Sequence, residues 1–390
     1  MKSIPLSVPN LEGKELEYVK RCITSNWVSS AGKFVTDFEK AISKYTGSKF
    51  AIACVNGTSG LYIALKVCGI RPKDEVIVPT LTFIATVNVI KYAGAEPIFM
   101  DCDDYMNIDP EKLSEFCRHE CRLTKSGLQN KKTGKTIRAV IPVHIFGNPC
   151  NMEKITSIAR KYHLKVVEDA TESLGSYYTA GIFKNKFTGT VSDVGVYSFN
   201  GNKIITSGGG GMIVTNNKAL ADKVRYLTNQ AKDDPVKSIH NEIGYNFRLT
   251  NLQAALGLAQ LERLKSFIKI KKKNYKLYHE LLRGIKGLKI LGIPEGTAPN
   301  YWFYSLLINK GEFGMNRDAV MKRLQLKDIQ TRPIWRLNHL QRPYKSNQKY
   351  KIEKAPRFWR DVLNFPCSTN LEVNQIKYIV SVIRDLQGDN

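Results

Sequence analysis

The stretch YSFNGNKIITSGGGG, residues 197–211, sets a single lysine, Lys203, between an apolar run and four consecutive glycines. A free lysine amine has a pKa of about 10.4, so only roughly one in two thousand is neutral and nucleophilic at pH 7. An aldehyde cofactor removes that obstacle by holding the amine as a Schiff base. The glycines beside it let backbone pass close to a flat ring or a phosphate. Two other stretches invite chemistry. In LKVVEDATES, Asp169 follows an apolar run, where a carboxylate leaving water needs a cationic partner. In VNGTSGLYIAL, Gly57-Thr58-Ser59-Gly60 leads from an apolar run into a helical pattern. Free N–H groups at a helix start, with hydroxyls beside them, suit a phosphate.

Each motif has a plainer reading: Thr58 or Ser59 as a helix cap, Asp169 as an N-cap. As an ordered set they answer one demand. Pyridoxal phosphate requires a phosphate cradle, a lysine for its aldehyde and an acid for its ring nitrogen. Thr58, Ser59 and Ser198 are the candidates for the cradle, Lys203 for the aldehyde and Asp169 for the nitrogen. The cationic ring would then be the partner that Asp169 needs.

These residues must be brought together by the elements around them. Apolar runs at 50–55, 75–79, 96–100, 138–143, 164–168, 194–199 and 211–215 read as seven strands. Segments long enough for crossover helices separate the first five; Leu61, Ala64, Leu65 and Cys68 mark one helix face, and Ile155, Ile158 and Ala159 another. Such alternation predicts a mainly parallel sheet covered on both faces, with ligands beyond the carboxyl ends of its strands. The expected organisation is a large α/β domain over 1–250 and, over 251–390, a long linking helix with a smaller C-terminal α+β domain. That domain mixes strand-like YWFYSLLI with helical RDAVMKRLQ. Polar residues near 117–137, including NKKTGKTIR, read as an exposed hairpin or loop insertion.

Composition narrows the function classes. Lys and Arg number 59 against 35 Asp and Glu, a net charge of +24. Nucleic acid is the obvious partner for so basic a chain. The charge is spread out, however, with its densest runs in NKKTGK and FIKIKKKNYK, and no DNA- or RNA-binding signature accompanies it. Lysine-rich solvated faces are the preferred reading, so no nucleic acid is expected. Eight scattered cysteines form no CxxC pair and no zinc-like cluster. With no apolar signal core in MKSIPLSVPN, free thiols in a reducing cytoplasm and no metal are expected. The most apolar window, VIVPTLTFIATVNVIKYAGAEPIFM, contains Pro79, Asn88, Lys91 and Glu96 and reads as two buried strands around a helix, not as a membrane span.

At these motifs the sequence resembles the DegT/DnrJ/EryC1/StrS sugar aminotransferases, of the aspartate aminotransferase fold (type I), along nearly the whole chain. NWVSSAGKFVTDFEK, IPVHIFGNPCNM, VVEDATES, YSFNGNKIITSGGGGMIVT and GYNFRLTNLQAALG carry the resemblance, which is nearest to the LegC type. The resemblance implies Lys203 as the Schiff-base lysine, Asp169 as the acid on the pyridine nitrogen and Phe83 as the aromatic stacked on the ring. It further implies phosphate ligands at the Gly57-Thr58-Ser59 turn and Ser198, and Glu172 near the cofactor hydroxyl. Asn246 and Arg248 match a segment that reaches the neighbouring subunit's phosphate, hence a homodimer with shared active sites. Arg248 could instead be a surface residue of the long helix. Trp27, Ser29, Ser30 and His339 are further candidates for substrate contact, each equally open to a structural role.

The implied reaction moves the amine of L-glutamate to carbon 4 of a nucleotide-linked 4-keto-6-deoxy sugar. A UDP-linked N-acetylhexosamine is the favoured acceptor, with GDP- or dTDP-linked sugars as alternatives, in surface-glycan or nonulosonic acid synthesis. Some relatives carry histidine at the lysine position and act as sugar dehydratases; Lys203 favours transamination. A non-catalytic nucleic-acid binder would explain the charge but none of the three motifs.

Overall fold

The computed structural model describes residues 3–234 and 236–388. Its main sheet has ten strands. From one edge the order is Phe50–Cys54, Gly211–Thr215, Val194–Ser198, Lys165–Asp169, Thr136–Val140, Glu75–Pro79, Glu96–Met100 and Lys349–Tyr350. All seven expected strands are present. Six run parallel, and Gly211–Thr215 alone among them runs against both of its neighbours. The polar insertion is a hairpin, Cys121–Thr124 with Gly127–Asn130, which pairs onto Thr136–Val140 and so extends the sheet. The short strand Lys349–Tyr350 comes from far along the chain and closes the other edge.

The interior strands are apolar on both faces because both faces are covered. Gly57–Val67, Ile84–Tyr92 and Lys218–Thr228 pack on one side, burying Leu61, Ala64 and Leu65 against Ile52, Val76 and Val196. On the other side, Lys33–Thr46 and Asn251–Leu282 bury Phe38, Ile42, Leu264 and Phe267 around Phe199 and Val214. The apolar window weighed as a membrane span is the strand Glu75–Pro79, the helix Ile84–Tyr92 and the strand Glu96–Met100. Among the described residues no helix is long and apolar enough to cross a membrane.

The 32-residue helix Asn251–Leu282 is opened by a capping box between Thr250 and Gln253. At about 1.5 Å per residue it spans some 48 Å. Its first half belongs to the core of the large sheet, whereas Tyr278 and Leu282 belong to a second core. That second core lies on a four-stranded antiparallel sheet of Leu288–Ile290, Tyr304–Ile308, Val362–Phe365 and Arg332–Pro333. The helices Arg317–Gln325 and Val373–Gly388 cover it. Ile4 near the N-terminus is buried in this second core and bridges Ile329. Between Arg332–Pro333 and Val362–Phe365 the chain returns to the large sheet, where Asn338 donates to the carbonyls of Thr80 and Thr82.

Candidate active site

Three of the sequence motifs fall at the same end of the large sheet. Phe50–Cys54 runs into the turn that begins the helix Gly57–Val67; Asp169 ends its strand, and Ser198 ends the strand Val194–Ser198. Lys203 lies in the connection from Ser198 to Gly211, which reverses direction to enter the antiparallel strand. A cavity of about 560 Å³ opens where these ends meet, lined by Gly57, Thr58, Phe83, Asp169, Glu172, Ser198 and Lys203. Its far wall comes from the second sheet and its approaches: Trp302, Phe303, Arg332, Trp335 and Asn364.

Lys203 is largely withdrawn from water, with its side chain 13% exposed. Its Nζ lies 3.7 Å from Glu172 Oε1 and 4.1 Å from the centroid of the Trp302 ring. Burial holds the Lys203 amine below the ordinary lysine pKa, against the opposing pull of Glu172 and Asp169. Burial likewise pushes Glu172 up to about 7, although the nearby Lys203 charge and the Phe146 N–H favour its ionised form. A second anchor holds the lysine's loop, since Trp302 Nε1 donates to the carbonyl of Asn202 at 2.6 Å.

Asp169 is buried, and both of its oxygens accept from neutral donors. Thr86 Oγ1 donates to Oδ2 at 2.6 Å, and the Thr171 N–H to Oδ1 at 3.1 Å. Among the described residues it forms no ion pair. A buried carboxylate fixed in place without a bound cation suits a protonated pyridine nitrogen.

The anion end is set by close packing. A Cβ on Gly57 would lie 3.0 Å from Ser198 Cβ and 3.1 Å from Thr171 Cγ2, so a side chain there would fill the cradle. Asn56, not Thr58 or Ser59, caps the helix, its Oδ1 accepting from the Ser59 N–H at 2.8 Å. This leaves the Thr58 hydroxyl and N–H available, while Ser59 stands outside the cavity lining. The donor set, the lysine and the fixed carboxylate together fit pyridoxal phosphate.

Other expected residues lie elsewhere. His339 is buried and bonded to Thr80 Oγ1 at 2.6 Å through Nδ1, rather than standing at the cavity entrance. Trp27, 58% exposed, lines a separate surface depression with Arg21 and Phe34, and neither Ser29 nor Ser30 lines the cavity. Asn246 and Arg248 are also outside the cavity; their backbones bridge Asn229 and Cys54, and Arg248 has no side-chain partner among the described residues.

The aromatic wall was not anticipated. Phe146 adopts φ +53°, its N–H donates to Glu172 Oε2 at 2.8 Å, and its ring packs 4.8 Å from Trp335 and 5.6 Å from Phe303. Phe83, at the mouth, faces Trp335 at 6.2 Å. Nothing local marks Trp302, Trp335, Thr86 or Arg332 as site residues, because each meets the site through contacts distant in sequence. The tryptophans in YWFYS and RPIWR were the available hint, one in an aromatic run and the other between arginines.

Residues 9–384 match the DegT/DnrJ/EryC1/StrS aminotransferase family. The chain is similar to the GDP-perosamine synthase of Escherichia coli O157:H7, 37% identical over 390 residues and 100% of each chain. It is also similar to the GDP-perosamine synthase of Caulobacter vibrioides, 36% identical over 97% of each chain. Among solved structures it resembles a DegT DnrJ EryC1 StrS aminotransferase from Brucella abortus, with a TM-score of 0.86 and 28% identity over 96% of this chain and 95% of that one. The chain therefore belongs to the DegT/DnrJ/EryC1/StrS family and is a pyridoxal-phosphate-dependent sugar aminotransferase.

Proposed function

We propose that this enzyme moves the amino group of L-glutamate to carbon 4 of a GDP-linked 4-keto-6-deoxy sugar. The full-length similarity to the two GDP-perosamine synthases carries the choice of acceptor. It favours GDP over the UDP-linked N-acetylhexosamine that the LegC-like resemblance implied.

Pyridoxal phosphate, when bound, supplies an aldehyde that takes up amines and a ring that withdraws electrons from the carbon bearing them. Gly57, Thr58 and Ser198 would hold its phosphate at the start of the helix Gly57–Val67, where the helix dipole favours an anion. Asp169 would pair with the ring nitrogen, Phe83 would cover the ring and Glu172 would stand beside the ring hydroxyl. Lys203 would hold the aldehyde. In surroundings that depress its pKa, the Lys203 amine would be the base that takes the proton from the α-carbon of glutamate. The same amine would deliver a proton to carbon 4 of the sugar. The aromatic wall of Phe146, Trp302 and Trp335 keeps water from the reacting atoms.

Asn246 and Arg248 complete the phosphate site of a second copy, making the working unit a homodimer. Their position outside their own cavity supports this reading, as does the planar fork of arginine, which suits phosphate. The eight free cysteines, all buried, fit a reducing cytoplasm.

The test offers the purified enzyme, with pyridoxal phosphate and L-glutamate, either GDP-linked or UDP-linked 4-keto-6-deoxy sugar, and follows the products by mass spectrometry. Faster amination of the GDP sugar is expected. Preference for the UDP sugar would restore the other carrier, and loss of a hydroxyl without consumption of glutamate would make the protein a dehydratase.

A further inference from the structure

The second half of the helix Asn251–Leu282 carries a face that the reaction does not use. Lys265, Lys269, Lys272, Lys273 and Lys276 are all exposed there, whereas Lys271 in the same run is buried. At about 100° per residue the five fall within roughly 100° of arc, as one outward stripe some 16 Å long. On other helices a lysine meets an acid one turn on, as Lys33 meets Asp37 and Lys218 meets Asp222. Among the described residues none of these five has an ionic or hydrogen-bonded side-chain partner, and like charges three and four residues apart repel. The stripe also borders apolar side chains. Four of its lysines, from Lys269 to Lys276, share a surface groove of about 840 Å³ with Ile270, Leu277 and Val373. Val373, at the start of the helix Val373–Gly388, is exposed, and Ile270 and Leu277 are half-buried. Glu280 is the one acid among the described residues that line the groove, and none of them lines the cavity around Lys203.

Charge complementarity calls for an anionic occupant. Recognition of one fixed phosphate or carboxylate favours the fork of arginine, and the stripe contains none. Ammonium groups on flexible stems are point charges that suit a mobile array of phosphates. A basic face edged by apolar side chains is the pattern of a helix lying at a lipid–water interface. The net charge of +24 adds long-range attraction to an extended anionic surface, which a short acidic peptide does not offer. We propose that this face docks the enzyme on an anionic phospholipid bilayer. The lysines stand among the headgroup phosphates, and Ile270, Leu277 and Val373 lie at the headgroup boundary. This docking is independent of the aminotransferase chemistry and of the identity of the sugar.

The experiment sediments the purified holoenzyme with vesicles of phosphatidylcholine alone, or of an equal mixture with phosphatidylglycerol. Binding to the mixed vesicles only is expected at about 0.1 M salt, with release near 1 M, where screening is complete within about 3 Å. Each lysine at such a surface is worth about fivefold in affinity. Changing Lys269, Lys272, Lys273 and Lys276 together to Gln should therefore weaken binding roughly 100-fold or more, while Arg at the same four positions should preserve it. Two double variants, Lys269→Gln with Lys272→Gln and Lys273→Gln with Lys276→Gln, should each lose about tenfold or more, and they decide the matter if the quadruple variant misfolds. Gln at Lys125, Lys131, Lys132 and Lys135 of the hairpin removes the same charge elsewhere and should cost less than about fivefold. An equal loss in that control would show that total charge binds the vesicles, and would overturn the proposal. A mixed-sequence DNA duplex is tested alongside. If its binding falls as much as vesicle binding in the stripe variant, the stripe is a general polyanion site and lipid is the wrong occupant. No sedimentation of the wild type with mixed vesicles would also overturn the proposal, leaving an acidic protein as the partner of this face.

Discussion

Lys203 and Glu172 act as a pair, and their titration can be separated from catalysis. Burial lowers the pKa of the lysine, and the Glu172 charge 3.7 Å away opposes that effect. Removing the charge should therefore push the lysine lower still. In the cofactor-free protein, the rate of taking up pyridoxal phosphate should rise with pH as Lys203 loses its proton. The midpoint should lie below that of an ordinary lysine, and in Glu172→Gln it should move further down. A midpoint that stays put or rises in Glu172→Gln would show that Glu172 does not govern the amine. Lys203→Ala should lose the absorption change produced by glutamate, with turnover down by at least about a thousandfold.

At the level of elements, the site depends on one tight turn. Gly147 has φ +90°, which L side chains rarely adopt, and a Cβ there would lie 1.9 Å from Asn300 Oδ1. Asn300 in turn donates to the carbonyls of Glu172 and Leu174 at 2.9 and 3.0 Å, and its N–H donates to Ser176. This network ties the approach to Trp302 onto the segment that carries Glu172. Gly147→Ala combines backbone strain with a clash against a fully engaged amide. It should cost at least about 3 kcal/mol in urea unfolding and weaken cofactor retention. Gly134→Ala also sits at positive φ, but a Cβ there meets nothing, so its smaller cost measures the strain alone.

For the whole molecule, the shared-site reading makes a prediction that contact geometry within one chain cannot imitate. Lys203→Ala and Arg248→Ala subunits, each inactive alone, should recover about one quarter of wild-type activity when co-expressed with different tags. Half of the dimers would then be mixed, each with one intact site. No recovery would place Arg248 in its own subunit's chemistry or in none. Apolar side chains in the stretch leading to Arg248, Val236 at 90% and Ile243 at 81% exposure, favour a covered surface there. Part of the +24 charge lies on the long helix. Lys265, Lys269, Lys272, Lys273 and Lys276 are exposed, whereas Lys271 among them is buried, its amine donating to the carbonyl of Cys367.

Much of this was legible in the residues because it depends on local pattern. Seven apolar runs, the first five separated by helix-length segments, announced the sheet, since strands buried on both faces must be apolar throughout. The order Gly57-Thr58, Asp169, Ser198, Lys203 announced the chemistry, because pyridoxal phosphate needs those groups and strand ends supply them. Folding brought together what local pattern cannot carry: the Trp302 bond to Asn202, the Thr86 bond to Asp169, and Arg332 beside Asn364. These join segments that are distant in the chain, and each is chosen by tertiary packing rather than by neighbours in sequence. For the same reason His339, a lone histidine near an expected entrance, went instead into the buried contact with Thr80 that holds the returning chain against the large sheet.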